Sequence, residues 1–249
     1  MLFIQNVTKE FGGLRAIYDL SFQVRERQIK ALIGPNGAGK TTLLNLVSGL
    51  DKVTVGKILF EGNDLTKLRP HEICKKGISR SYQIVNIFPR LTVFRNVQVA
   101  VLSQQRKSRK LFQPAKNMVV RETNNILESV GLLDKAHGMA GSLSHGDQKI
   151  LEIGIALGNE PELLILDEPT ANLDPKNAAV VEEIIASVNR DLKTTIVIAT
   201  HNMFQARRLA DRVALLLNGK FVEVGDPETM FTNPREAVTK AFVRGELIY

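Results

Sequence analysis

A single cysteine in 249 residues excludes an internal disulfide and leaves no thiol cluster for a metal. Cys74 therefore reads as a small buried hydrophobe in a protein of a reducing compartment. Long apolar runs are missing too: Leu163 to Leu166 and Val213 to Leu217 fall far short of the roughly 20 residues that a membrane span requires. The start, MLFIQNVTKEFGG, has no basic flank leading into a long apolar segment, so no secretory signal is visible and a cytoplasmic location is expected. Repeats and low-complexity tracts are also lacking. What is present is 44% hydrophobic residues, ample for a core, in a length that suits one large α/β domain or a core with a smaller insertion. The net charge of +7 suits an anionic neighbour, whether nucleotide, nucleic acid or acidic membrane, and does not choose among them.

The sharpest motif is GPNGAGKT, comprising Gly34, Pro35, Asn36, Gly37, Ala38, Gly39, Lys40 and Thr41, directly behind the apolar run Ile29, Ala31, Leu32 and Ile33. A phosphate-binding loop needs an abruptly ending strand, glycines that let backbone N–H groups wrap a polyphosphate, and a helix whose positive N-terminus faces the anion. Residues 29 to 50 supply all three. Lys40 reaches the β- and γ-phosphates, the Thr41 hydroxyl is placed for Mg²⁺, and Thr42 follows at the same helix start. A glycine-rich turn that binds nothing is the bland alternative, and the strand and helix context argues against it.

Alternating segments at Leu2 to Val7, Ala16 to Val24 and Lys57 to Phe60 predict antiparallel strands beside the loop-bearing strand. Two strong strands follow much later: Leu163 to Leu166 ends in Asp167-Glu168-Pro169, and Ile196 to Ala199 ends in Thr200-His201. Between them Asp174 caps a helix with Pro175 at its first position, so strand, helix, strand implies a parallel sheet. Asn218-Gly219 predicts a hairpin. From about Ile84 to Glu160 the pattern turns helical: Val119, Thr123, Ile126, Leu127 and Val130 form one stripe, and a second helix runs from Ser144 towards Leu157.

An acidic residue ending an apolar strand can hold the Mg²⁺ shell of a nucleotide hydrolase and leave the base or water-positioning role to a neighbour. Asp167 and Glu168 fit those two roles. His201 ends the next strand, where an imidazole can hydrogen-bond the attacking water or the γ-phosphate. Gln83, in RSYQ, offers an amide for Mg²⁺ and water, a role that only the wider pattern supports.

These pieces in this order resemble the nucleotide-binding subunit of an ABC transporter: GPNGAGKT, Gln83, LSHGDQ at Leu143 to Gln148, LLILDEP, Asp174 and His201. The resemblance spans nearly the whole chain. It implies an α/β fold: a P-loop NTPase core with a mainly parallel sheet, an N-terminal antiparallel β subdomain and an inserted helical subdomain. The core would comprise residues 1–83 and 161–225, the helical subdomain 84–160 and a C-terminal tail 226–249. It also implies ATP and Mg²⁺, and a head-to-tail dimer in which each ATP lies between the phosphate loop of one subunit and the signature of the other. Thr41, Gln83 and Asp167 are then the metal residues and Glu168 and His201 the catalytic ones. Ser144 and Gly146 would meet the partner's γ-phosphate, Phe11 would stack on adenine, and Asp174 would communicate between the two sites.

The signature departs from the usual LSGGQ, with His145 for the first glycine and Asp147 for the glutamine. Ser144-x-x-Asp147 is also a capping-box pattern, so Asp147 is expected to turn back to a backbone N–H at the helix start, and the signature is expected to work.

GISRSYQIVNIFPRLTVFRNVQVAV and LEIGIAL resemble the ATPases of branched-chain amino acid and urea importers, whereas THNMFQARRLADRV and the C-terminal stretch look more like those of tungstate, molybdate or phosphate importers. Membrane permease subunits, met through the helical subdomain, a second ATP-binding subunit and, indirectly, a substrate-binding protein are the implied partners. That places the chain peripherally at the cytoplasmic face of the cell membrane. Arg106, Lys107, Arg109, Lys110 and Lys116 read as a solvated face, with contact to anionic lipid or acidic permease loops the sharper alternative. A soluble ABC ATPase acting on nucleic acid is the rival of another class; one cassette with a short insertion speaks against it, and nucleic acid is not expected as a partner.

Overall fold

The computed structural model describes residues 1–81, 86–105 and 118–246. Strands β1 (Leu2–Phe11) and β2 (Leu14–Val24) pair antiparallel, with Leu2 opposite Val24. Leu2, Ile4 and Val7 on one strand and Leu20, Phe22 and Val24 on the other are buried, the alternation of a sheet with one wet face. β1 runs four residues beyond the expected Val7, and three shifts of register along its pairing with β2 account for the broken alternation there.

β3 (Ile29–Ile33) is buried at every position and leads through the phosphate loop into α1 (Lys40–Val47). Gly49, at φ +74°, follows the end of that helix. β4 (Val55–Phe60) and the short β5 (Asn63–Asp64) complete the antiparallel sheet, in the order β2-β1-β4-β5. After α2 (Pro70–Cys74), β6 (Ile78–Ser81) enters the second sheet. Cys74 is half-buried rather than buried, and burial pushes its thiol pKa up.

Among the described residues the helical part holds three α-helices: α3 (Val93–Gln104), α4 (Val120–Ser129) and α5 (His145–Leu157). A Cβ on Gly158, just past α5, would lie 2.8 Å from the Cβ of Ala100, so α3 and α5 approach closely there.

The chain then alternates through β7 (Leu163–Asp167), α6 (Pro175–Leu192), β8 (Thr195–Thr200), α7 (Met203–Leu209), β9 (Arg212–Leu217) and β10 (Lys220–Gly225). Among the described residues the second sheet has the order β10-β9-β3-β8-β7-β6, parallel except for β10. Residues 226–246 are no loose tail. They form α8 (Pro227–Thr232) and α9 (Ala237–Val243), with Met230 fully buried.

This sheet separates two apolar cores. Leu32 packs towards α1 and the antiparallel sheet, whereas Ala31 and Ile33 pack towards the helical side. Each fully buried leucine contributes about 1.5–3 kcal/mol, so both faces of β3 hold its end, and the loop that leaves it, in place.

Candidate functional site

The loop from Gly34 to Thr41 takes a path that only glycine permits at two points. Gly34 has φ +152°, and a Cβ there would sit 2.2 Å from the Leu216 carbonyl oxygen. Gly39 has φ +104°, and its Cβ would meet the Ala16 carbonyl at 2.8 Å. The loop thus lies tight on the β9–β10 hairpin and on β2, and α1 presents its N-terminus to the space in front. Lys40 bends back, its Nζ donating to the carbonyls of Gly34 at 2.6 Å and Pro35 at 2.9 Å. Burial lowers the pKa of this ammonium, and the charges of Glu168 and Asp167 work in the opposite direction. A polyphosphate would replace the carbonyls with a stronger partner.

A cavity of about 590 Å³ opens over the loop, lined by Pro35 to Thr42 together with Phe11, Arg15 and Glu168. Phe11 is 45% exposed, and the Lys9 ammonium lies 4.5 Å from its ring centroid. Its free face is available to a planar base.

β7 and β8 end side by side, with Asp167 opposite Ala199. Asp167 is buried; its Oδ2 accepts from Arg80 Nη2 at 2.9 Å, while its Oδ1 is buried without a hydrogen-bond partner. An orphaned carboxylate oxygen, with the Thr41 hydroxyl on the adjoining loop, is a donor set that fits Mg²⁺ through oxygen ligands. Glu168 sits at φ +48°, a conformation that bulky residues rarely adopt and that tends to mark functional sites. Its carboxylate accepts the His201 backbone N–H at 3.0 Å, and its Oε2 lies 2.9 Å from His201 Nδ1. With Nδ1 as the donor to Glu168, Nε2 is left for another partner on an exposed ring.

The remaining expected residues stand apart from this cavity. Ser144 caps α5, accepting the Asp147 N–H at 3.1 Å, and Gly146 lies in the first turn. Neither lines the loop cavity. Asp147 turns back on Ser144 at the helix start, as the capping-box pattern suggested, and hydrogen bonding from the Ser144 backbone is among the influences that lower its carboxyl pKa. It accepts the Ser144 hydroxyl at 2.8 Å and Lys135 Nζ on both oxygens. Lys135 adds a full charge to that cap. Asp174 caps α6 through the N–H groups of Lys176 and Asn177, and hydrogen bonding to Asn177 is the largest influence holding its carboxyl pKa low. A Cβ on Gly146 would lie 2.8 Å from Asn177 Cγ, so the start of α5 packs on the start of α6.

Sequence reasoning missed Arg80, Arg15, Lys135 and Asn177. Only Arg80 left a signal, as a lone cation three residues before Gln83 on an otherwise uncharged strand. Gln83 and the basic cluster Arg106, Lys107, Arg109, Lys110 and Lys116 lie outside the described residues.

Comparison with known proteins bears on this arrangement directly. The family model described as ABC transporter matches residues 17–171, which include the phosphate loop, the signature and the β7 carboxylates. The chain belongs to the ABC transporter ATP-binding family. The cassette is 35% identical over 241 residues to the high-affinity branched-chain amino acid transport ATP-binding protein LivG of Salmonella typhimurium, covering 94% of each chain. It is 36% identical over 246 residues to the phosphate import ATP-binding protein PstB of Pyrobaculum aerophilum, covering 95% of each. Among solved structures it resembles the dimeric post-hydrolysis state of the ATP-binding cassette MJ0796 bound to ADP and Pi, with TM-score 0.78 and 27% identity over 91% of this chain and 99% of that one. The cassette is thus an ATP-binding ATPase of the α/β type expected, with its antiparallel sheet and helical part. No described helix is long and apolar enough to cross a membrane.

Proposed function

We propose that this cassette powers a membrane importer as one half of a composite ATP site, with branched-chain amino acids or similar small polar solutes as cargo. The observation that carries the reading is a cavity that contains Lys40, Thr41 and Glu168 and lacks Ser144 and Gly146. A second ATP-binding subunit, the same chain or a related one, supplies the missing half. Residues 1–83 and 161–225 act as the ATP-binding core. Residues 84–160 carry the signature and meet permease subunits, which hold the chain peripherally at the cytoplasmic face of the membrane. Residues 226–249 follow the core.

In this reading Phe11 stacks on adenine, and Gly34 to Thr42 cradle the phosphates through backbone N–H groups and Lys40. Thr41 and Asp167, with Gln83, would hold Mg²⁺, which would supply neutralising charge to the bound polyphosphate. Glu168 orients the attacking water and takes its proton. His201 holds Glu168 through Nδ1 and turns Nε2 to the γ-phosphate side. Ser144 and Gly146 donate to the γ-phosphate across the interface, and Asp174 links the two sites.

The 35% identity to LivG supports the amino acid cargo. The equal likeness to PstB favours a second reading, an oxyanion importer. Assembly with the co-purifying permease in vesicles decides between them: hydrolysis stimulated by leucine-loaded binding protein is expected, and stimulation only by phosphate- or tungstate-loaded protein selects the second reading. A purified dimer whose hydrolysis does not exceed that of Glu168→Gln would overturn the proposed roles altogether.

A further inference from the structure

Lys30 is a buried cation that the ATP chemistry does not use. It is 6% exposed, and the parallel register of β3 and β9 sets it directly opposite Arg212. Like charges opposed across neighbouring strands repel. Burial, then Arg212 and Arg25, pull its ammonium pKa down to about 8. Among the described residues it meets the Gln23 carbonyl and the face of the Phe22 ring, whose centroid lies 4.1 Å away. Among the described residues none of Arg25, Lys30 and Arg212 forms an ion pair.

The three cations line one cleft of about 310 Å³, whose remaining polar lining includes Ser21 and Gln28 and contains no carboxylate. Of the neighbouring acids, Asp211 accepts the Ile29 N–H at 2.8 Å, and Asp226 caps α8 through the Thr229 N–H at 2.9 Å while its charge still acts on Arg212. The cleft lies at the N-terminal end of β3, whereas the phosphate loop leaves its C-terminal end. Five strand residues, on the order of 13 Å, separate the two, and no lining residue is shared.

We infer that this cleft is a second anion site, built for a phosphate group. Two guanidinium forks and an ammonium, with no carboxylate among the described lining residues, match a compact oxyanion carrying close to two negative charges. The group has two possible sources, a soluble phosphate or a phospholipid headgroup at the membrane surface, and both present the same chemistry.

The test uses the full chain carrying Lys40→Ala, so that the nucleotide loop does not account for binding. Inorganic phosphate is titrated calorimetrically at low ionic strength. In parallel, the protein is sedimented with phosphatidylglycerol or phosphatidylcholine vesicles. Both arms are repeated with Arg25→Gln and Arg212→Gln added.

Phosphate binding that weakens about tenfold or more on loss of the arginines supports the site with a soluble ligand. Arginine-dependent sedimentation with phosphatidylglycerol alone supports it with a lipid ligand. Binding of neither probe, or binding unchanged by the arginine substitutions, overturns it. If the substituted chain does not fold, the Lys30 side-chain resonance of the otherwise native chain replaces it: movement on addition of the binding probe supports the site, and a resonance that neither probe moves overturns it.

Discussion

The ammonium of Lys135 lies across both carboxylate oxygens of Asp147, at 2.9 and 2.8 Å. Burial works against the charge on Asp147, but the hydrogen bonds from Lys135 and Ser144 outweigh it and hold the carboxyl below its ordinary range. A bare carboxylate would repel any polyphosphate that Ser144 approaches, and Lys135 cancels that charge where it arises. Lys135→Ala should therefore raise the ATP concentration needed for dimer formation by about fivefold, the scale of a partly exposed ion pair. Light scattering in a Glu168→Gln background measures this, and Asp147→Gln should restore the native value. Unchanged ATP dependence would remove the role.

Lys30 makes stability depend on pH in the alkaline range. Its folded pKa, about 8, lies below the 10.5 ordinary for a lysine. The unfolded chain therefore binds more protons between those values, and stability rises as pH increases from about 8 to 10.5. Lys30→Met should flatten that rise and stabilise the protein at pH 7. Urea denaturation at pH 7, 8, 9 and 10 provides the comparison, with phosphate absent.

Arg80 and Asp167 form a pair whose side chains are only 5% and 2% exposed, and Arg80 also reaches Asn45 at 2.7 Å and Ser48 at 3.0 Å. Arg80→Met leaves a buried carboxylate uncompensated, which should cost about 3–5 kcal/mol in urea denaturation. Adding Asp167→Asn should recover part of that loss. Full stability in the single variant would mean that Asp167 does not depend on Arg80.

Gly146→Ala pushes a methyl group into Asn177, the residue whose N–H helps Asp174 cap α6. The expected result is a fall in hydrolysis at saturating ATP with unchanged ATP binding by the single chain, measured by turnover and fluorescence titration. Asn177→Ala should make room for the methyl, although it also removes a bond to Asp174.

Much of this architecture was legible because it is local. The buried run before GPNGAGKT, the Asp174-Pro175 start and Asn218-Gly219 each specify their backbone within a few residues, and Asn218 and Gly219 both take the positive φ that such a turn needs. The contacts that tune the site were hidden because they are distant. Arg80 meets Asp167 across 87 positions of sequence, and Lys135 meets Asp147 from outside the helix.

The helix α3 was obscured for a related reason. Asn96 and Gln98 interrupt its apolar face yet are buried, because Asn96 donates to the Phe88 carbonyl and accepts its N–H, and Gln98 donates to the Met118 carbonyl. Nothing in the helical period announces those partners. The Asp226-Pro227 cap was present in the sequence, but a six-residue helix carries too short a stripe to be read.

Ser144 lies outside the cavity that holds Lys40. If the site is completed by a partner subunit, as proposed, two disabled copies should repair each other. A chain with Lys40→Ala and a chain with Ser144→Ala, each inert alone, should recover turnover on mixing, since one of the two sites in a mixed pair unites an unaltered loop with an unaltered serine. Activity that stays absent in the mixture would mean that each chain works only on what it holds by itself.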